Sequence, residues 1–391
     1  MEDFFNVVDY IIYIIFAINV IYLFIFSVIY IFAKSKKYAH VVPTKRIAIL
    51  IPAYKEDAVI MSSVESCINQ EYPKELYDTV VISDQMSDDV NDALKDMQVK
   101  LVQVFFEKST KSKALNFAMA EISNNYDIAV ILDADNIISP TFLNEINDAF
   151  VANTDIEYLQ AHRVAKNTNT DMAYLDAISE EINNSIFRMA HSAIGLSAAL
   201  IGSGMAFKYS LFKEIMLSID AIGGFDKALE LKLSFENRRS CYLHNSRVLD
   251  EKVQSSNDFS RQRSRWLSAQ YHYFFRTVKY LPSAIKDRKW NFCDKLFQQI
   301  SIPRLLLLGG IFSITIIVSL VSLSAAIKWW VLLGLLFISL FMAIPRSLYK
   351  RRIFSAVIKL PYYFIIFFGT LFHLHKANKT FIHTAHGIKG E

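Results

Sequence analysis

An α/β fold with a mostly parallel sheet, carried on transmembrane and interfacial α-helices, is what this sequence predicts, and three observations predict it. Between about residues 44 and 260, short β-branched apolar runs alternate with helix-like stretches, the pattern of a βαβ chain. Three other runs, 11–33, 305–327 and 329–345, are apolar and carry no charge. Apolar residues make up 53% of the 391 positions, above the roughly 45–50% of an average soluble domain. That length allows two or three units at roughly 150 residues per domain and excludes a small disulfide-stapled module. The net charge of +4 is too small for a nucleic-acid footprint, so no nucleic acid is expected as a partner. Cys67, Cys241 and Cys293 are widely spaced and match no metal motif, which suits reduced thiols in a cytosolic compartment.

The N-terminal run 11–33 is long enough to cross a bilayer as a helix. A cleaved signal peptide is the alternative, but Glu2, Asp3 and Asp9 precede the run without a base, and the run exceeds an ordinary signal core. Lys34, Lys36, Lys37, Lys45 and Arg46 follow it, so the positive-inside rule puts the N-terminus outside and the next domain in the cytosol. The runs 305–327 and 329–345, parted by Lys328, read as a hairpin whose inner end carries Arg346, Lys350, Arg351 and Arg352. In 353–374, Lys359 and Pro361 interrupt the apolar run, which favours a helix lying in the interface over a fourth span. The expected organisation is a transmembrane helix (1–40), a cytosolic α/β domain (41–258), amphipathic interface helices (259–303), a transmembrane hairpin (304–346), and an interfacial or fourth transmembrane helix with a tail (347–391).

Within the α/β domain the strand-like runs are 46–52, 77–83, 101–106 and 127–133, and the helix-like stretches are 57–70, 88–99, 112–124 and 139–153. Open α/β sheets bind ligands at the carboxyl ends of their strands. There the sequence places AYKED (53–57), SDQMSDD (83–89) and DADN (133–136), three acidic loops expected at one sheet edge. Carboxylates that close repel one another, and a hard divalent cation or a ligand's donors relieves this. Asp133 and Asp135, two apart at a strand end, suit a cation. Lys111, where KSTKSKALN opens a helix, is placed to meet a diphosphate; a solvated surface position is the plain alternative.

The order of these motifs resembles that of membrane-bound family 2 glycosyltransferases, the group of cellulose, chitin and hyaluronan synthases and many bacterial exopolysaccharide enzymes. The resemblance implies a GT-A-like nucleotide-sugar-binding domain. It implies donor contacts from Tyr54 and Glu56 to base and ribose, from Asp84 to uracil, and from Lys111 and Asp133 near the diphosphate, with Asp133 and Asp135 holding Mg²⁺ or Mn²⁺. GSGMAF (202–207) resembles a glycine stretch lining the acceptor, including Gly204. RQRSRW (261–266) contains the QxxRW motif, whose Gln262 and Trp266 would meet the acceptor and whose Arg265 would face the diphosphate. Family members commonly carry an acidic pair before a leucine-rich helix; here Phe225 replaces the first acid, and counting from Leu229, Leu231 and Leu233 makes Asp226 the general base. Glu230, the rival, points one helical turn away. KTFIHTAHG (379–387) resembles a tail that closes over the nucleotide, with Thr384 and His386 as contacts.

The resemblance therefore implies an inverting transferase that uses a UDP-sugar at the cytosolic face of a bacterial inner membrane, acting on a saccharide or lipid-linked acceptor in exopolysaccharide or capsule synthesis. Membrane lipids, and a partner subunit or second copy, are its expected partners. A polyprenyl-phosphate transferase, a non-enzymatic nucleotide-sugar sensor and a transporter are the competing readings; the last needs more spans than the sequence shows.

Overall fold

The computed structural model describes residues 2–219, 221 and 223–370, so Thr384, His386 and the rest of the tail motif lie outside the described residues. Helix α1 (Glu2–Phe32) leads into β1 (Ile47–Tyr54), α2 (Ile60–Ile68), β2 (Tyr77–Asp84), α3 (Asp88–Asp96), β3 (Lys100–Val104), α4 (Lys111–Glu121) and β4 (Ile128–Ile131). All four predicted strands form, and the helices between them are shorter than their predicted spans because turns take the ends. A two-residue β5 (Ile137–Ile138), α5 (Phe142–Ala152) and β6 (Tyr158–Ala165) follow. Next, α6 (Asp171–Asn183) runs through a π-helical segment (Asn184–Ala190) into α7 (His191–Ala193). The domain closes with β7 (Met205–Lys208), α8 (Tyr209–Met216), α9 (Phe225–Phe235) and β8 (Ser240–Asp250).

The eight strands lie in the order β3-β2-β1-β4-β7-β6-β8-β5. The β1–β2, β2–β3, β1–β4 and β6–β8 pairs are parallel, whereas β7 and β5 join antiparallel. Successive residues of β1 face opposite ways, as strand geometry requires. Ala48 and Leu50 pack with α4, α8 and α9, and Ile47, Ile49 and Ile51 with α2 and α5. Both faces are thus covered, which is why these strands read as continuous apolar runs.

Among the described residues three helices are long and apolar enough to cross a membrane: Asn6–Phe32 within α1, α13 (Arg304–Val321) and α14 (Leu323–Ala343). The last two are preceded by α10 (Ser256–Thr277), α11 (Leu281–Lys286) and α12 (Trp290–Ile300). Ser322 alone joins α13 to α14, and its hydroxyl accepts the Ala325 amide at 3.4 Å. At the same end of the bundle Asp9 of α1 accepts the Trp329 indole N–H at 2.9 Å and pairs with Lys328. After the hairpin come α15 (Arg352–Ile358) and α16 (Leu360–Thr370), each shorter than the roughly 20 residues a span needs. A Cβ at Gly309 of α13 would overlap the Phe364 ring of α16, so the bare glycine lets these helices meet.

The helix from α6 to α7 joins the two parts. Tyr174, Ile178, Ile182, Ile186 and Ala190 pack into the bundle beside Val20, Leu307 and Trp329. A four-residue repeat overshoots each α-helical turn by about 40°. The wider π turn, with its i→i+5 bonding, runs the other way and keeps the stripe on one side. From the opposite side Glu180 meets Arg163 and Arg188 at 3.0 Å and Lys252 at 3.7 Å. Burial alone would raise the Glu180 carboxyl, but Arg163, Lys252 and Arg188 hold it well below the usual carboxylate range. Glu180→Ala leaves three buried cations without this partner and should destabilise the protein by about 3–5 kcal/mol, read from unfolding in detergent against Glu180→Gln.

Candidate active site

Parallel pairing sets Tyr54, the last residue of β1, opposite Asp84, the last of β2. The Lys55 amide donates to the Asp84 carbonyl at 3.2 Å, and Asp57 accepts the Ser87 amide at 2.7 Å, so the first two acidic loops are tied together. Glu56 lies in the same turn, where its carbonyl accepts the Val59 and Ile60 amides. Asp84 is 2% exposed, and one of its carboxylate oxygens is buried without a hydrogen-bond partner. Burial raises its proton affinity against the donors of Ser109 and Phe106.

Beyond β4 the chain turns at Asp133, Asp135 and Asn136. Asn136, fully buried, accepts the Asp133 amide at 3.0 Å and donates to Asp135 at 3.2 Å and to Asp250 at 3.3 Å. The antiparallel β5–β8 pairing puts Ile137 opposite Leu249, so the Glu251 amide reaches Asp135 at 2.9 Å. Asp133, Asp135 and Asp250 thereby each present a carboxylate oxygen within 4.8 Å of the others. Their repulsion is met by Lys111 on Asp133, and by Arg163 at 3.5 Å and Lys252 at 2.8 Å on Asp250. Burial would raise the Asp250 carboxyl, and Arg163 and Lys252 bring it below its ordinary value. Three carboxylate oxygens are a donor set that fits a hard divalent cation such as Mg²⁺ or Mn²⁺.

Lys111 opens α4, whose first turn is capped by Thr110 accepting the Lys113 amide at 3.2 Å. Its ammonium meets Asp133, donates to the Gly202 carbonyl at 2.7 Å and lies over the Phe225 ring at 5.3 Å. Gly202 has φ +87°, and a Cβ there would stand 3.6 Å from Phe225 and 3.9 Å from Asp226. Lys111, Asp133, Gly202 and Asp226 therefore form one contiguous wall. Gly204, the other glycine of the motif, looks elsewhere: a Cβ would meet Val248 at 3.1 Å and Gln160 at 3.5 Å. Its φ of +61° and this close strand packing account for it, and Gly202 is the glycine at the acid.

Asp226 stands in the first turn of α9, just after Gly224 at φ +63°. Its side chain is 18% exposed, and burial pushes its carboxyl up against the pull of Lys227 and Lys111. Glu230 differs: burial would raise it too, but Lys227 and Lys295 hold it below its ordinary value, and it accepts the Leu200 amide at 3.0 Å. Two acids on one helix are thus driven apart in proton affinity, with the accessible one raised. From α10, Arg265 is depressed by burial while the charges of Asp133 and Asp226 both pull it up, so both acids lie within its electrostatic reach. Trp266 is 39% exposed beneath the Arg263 guanidinium, 4.6 Å away, and the Gln262 carbonyl oxygen is buried without a partner.

Sequence reasoning missed Asp250, Gln160 and Arg163. Asp250 ends a strand as Asp84 does, which was the available signal. Gln160, fully buried, accepts the Ile201 amide at 3.2 Å and donates to the carbonyls of Ser203 and Gly204 at 2.9 and 3.1 Å, fixing the glycine loop.

Over 98 residues the chain is 32% identical to the probable glycosyltransferase YdaM of Bacillus subtilis, a match spanning 23% of either chain's length. In structure it is similar to the mannosyltransferase PcManGT from Pyrobaculum calidifontis, solved with GDP-Man and Mn²⁺. That likeness has a TM-score of 0.51 at 16% identity, over 84% of this chain and 96% of the other. A weaker likeness, TM-score 0.42 at 14% identity over 66% and 80%, is to glucosyl-3-phosphoglycerate synthase from Mycobacterium tuberculosis with Mn²⁺, UDP and phosphoglyceric acid. The glycosyltransferase-like family 2 profile matches residues 43–269, which run from β1 through the QxxRW helix and make up more than half of the sequence, and the chain belongs to that family.

Proposed function

We propose that this protein is an inverting glycosyltransferase that moves a sugar from a UDP-sugar to a saccharide acceptor at the cytosolic face of a bacterial inner membrane, in exopolysaccharide or capsule synthesis. The observation that carries the reading is the single wall formed by Lys111, Asp133, Gly202 and Asp226. Asp226 takes the proton of the acceptor hydroxyl as that oxygen attacks the anomeric carbon. The bond from that carbon to the diphosphate oxygen breaks and UDP leaves. Attack from the face opposite UDP inverts the centre. Lys111 and Arg265 place positive charge beside the leaving diphosphate. Asp133, Asp135 and Asp250 would hold Mg²⁺ or Mn²⁺, which supplies further positive charge there when bound. The unpartnered Asp84 oxygen suits the imide N–H of uracil, with Tyr54 and Glu56 beside the ribose. Gln262 offers a buried acceptor atom to a sugar hydroxyl, and Trp266 a ring face.

The membrane orientation draws on charge. Lys34, Lys36 and Lys37, and Arg346 and Lys350 to Arg352, flank the spans at the end opposite the Asp9–Lys328 pair, which the positive-inside rule assigns to the cytosol. A polyprenyl-phosphate acceptor is a second reading, favoured by Arg304 at the first turn of α13, one of whose guanidinium nitrogens is buried without a partner.

Purified protein in detergent with Mn²⁺ or Mg²⁺ should release UDP from at least one member of a panel of radiolabelled UDP-sugars. Thin-layer chromatography then separates polar saccharide products from lipid-linked ones. Turnover of GDP-sugars alone would overturn the donor assignment, and no turnover of any donor would overturn the enzymatic reading.

A further inference from the structure

Asp226 does not sit in a simple ion pair. The Lys227 ammonium lies 3.8 Å from Asp226 Oδ2 and 3.6 Å from Glu230 Oε2, and donates to the Leu200 carbonyl at 3.3 Å. Glu230 is only 1% exposed; it accepts the Leu200 amide at 3.0 Å and stands 3.5 Å from Lys295, a fully buried ammonium on α12. Spacing on α9 creates the arrangement, because residues three and four apart share a helix face, which gathers Asp226, Lys227 and Glu230. The other charged groups that act on Asp226 are Lys111 from α4 and Arg265 from α10. Lys111 is engaged with Asp133 and Gly202, whereas Lys227 lies 3.8 Å from Asp226 itself and is drawn away from a closer pair by Glu230 and the Leu200 carbonyl.

A carboxylate locked against an ammonium is a poor proton acceptor, since the pair favours its charged form. We propose that Glu230 is a positioning residue that shares the Lys227 ammonium with Asp226, so that no closed ion pair forms and Asp226 stays able to take the acceptor's proton. The burial of Glu230 and Lys295 fits this role. Glu230 is held away from solvent, where its pull on Lys227 is least screened, and Lys295 balances part of its buried charge. The inference rests on Asp226 being the base.

The test is the pH profile of kcat/KM for the full-length enzyme in detergent. In Glu230→Gln, Lys227 has Asp226 as its only carboxylate and the repulsion from Glu230 is gone, so both changes favour ionised Asp226. The acid limb should move to lower pH by about one unit, at the low end of the 1–3 units that an opposite charge at this range produces. In Lys227→Met the cation is lost, and the limb should move to higher pH by about one unit. Because Glu230→Gln leaves Lys295 unpaired, the double variant Glu230→Gln/Lys295→Met removes the surplus buried charge and should show the same downward shift. An acid limb that stays at the wild-type pH in the Gln variants, or that moves in the same direction in Lys227→Met, overturns the proposal. Asp226→Asn separates the two layers: turnover retained in that variant removes the base assignment itself. An inactive Asp226→Asn with unmoved limbs elsewhere removes only the role of Glu230.

Discussion

Asp226→Asn should lower turnover by about 10²–10⁴-fold, the range a positioned general base contributes, while the affinity for UDP measured by calorimetry stays within a factor of about three. The contrast follows from position. Asp226 faces Gly202 and Lys111 and is absent from the carboxylate triad, so its loss removes the proton acceptor and leaves the diphosphate side intact. The wild-type profile should show the same group. Burial raises the Asp226 carboxyl, so the base form is lost on acidification at a higher pH than for an exposed aspartate, and kcat/KM should fall there. The stability sign runs opposite to that of a salt-bridged acid. A carboxyl whose folded value is raised contributes stability at low pH that is lost as pH rises, so neutral Asn at this position should hold or increase the melting temperature at pH 8. A fall in melting temperature together with lost UDP binding would instead mark misfolding.

Asp135→Ala should cost at least about 10²-fold in Mn²⁺ affinity, since even indirect partners of metal ligands are worth 10–100-fold, and turnover should fall in step. Mn²⁺ binding read by electron paramagnetic resonance without any sugar present keeps this measurement apart from catalysis. Asp135 is 3% exposed and held from two sides, by the Asn136 amide and the Glu251 backbone N–H. The alanine therefore removes a fixed ligand that neighbours cannot replace by swinging in. Unchanged Mn²⁺ affinity would place the cation elsewhere.

Much of this was legible in the sequence because it depends on local pattern. Alternating apolar runs mark β1, β2, β3 and β4, and uncharged stretches mark α1, α13 and α14, since burial on both faces of a sheet and helices apolar enough to cross a membrane each leave a composition trace. Asp84, Asp133 and Asp135 could be placed at one edge because parallel strands deliver their ends there. Asp250 was not, because its arrival depends on a two-residue antiparallel pairing, Ile137 with Leu249 and Ile138 with Val248, between segments more than a hundred residues apart. Gly202 and Gly204 look alike in GSG; only the backbone says which of them turns toward Asp226. The expectation of Asp226 over Glu230 rested on helical spacing, and the structure shows how the two acids differ: one is partly buried and raised, the other enclosed by Lys227 and Lys295. The interrupted run after 353 was visible as such, and it is two short helices broken at Lys359.

The π turn between Asn184 and Ala190 carries a consequence for how this architecture can vary. One rod keeps phase with two neighbours at once, the apolar helix bundle along Tyr174 to Ala190 and the ionic cluster at Glu180 and Arg188. Adding or dropping a residue anywhere along it would rotate one set of contacts by about 100° relative to the other. Length changes are therefore shut out of this stretch, and insertions or deletions are channelled into the loops around it.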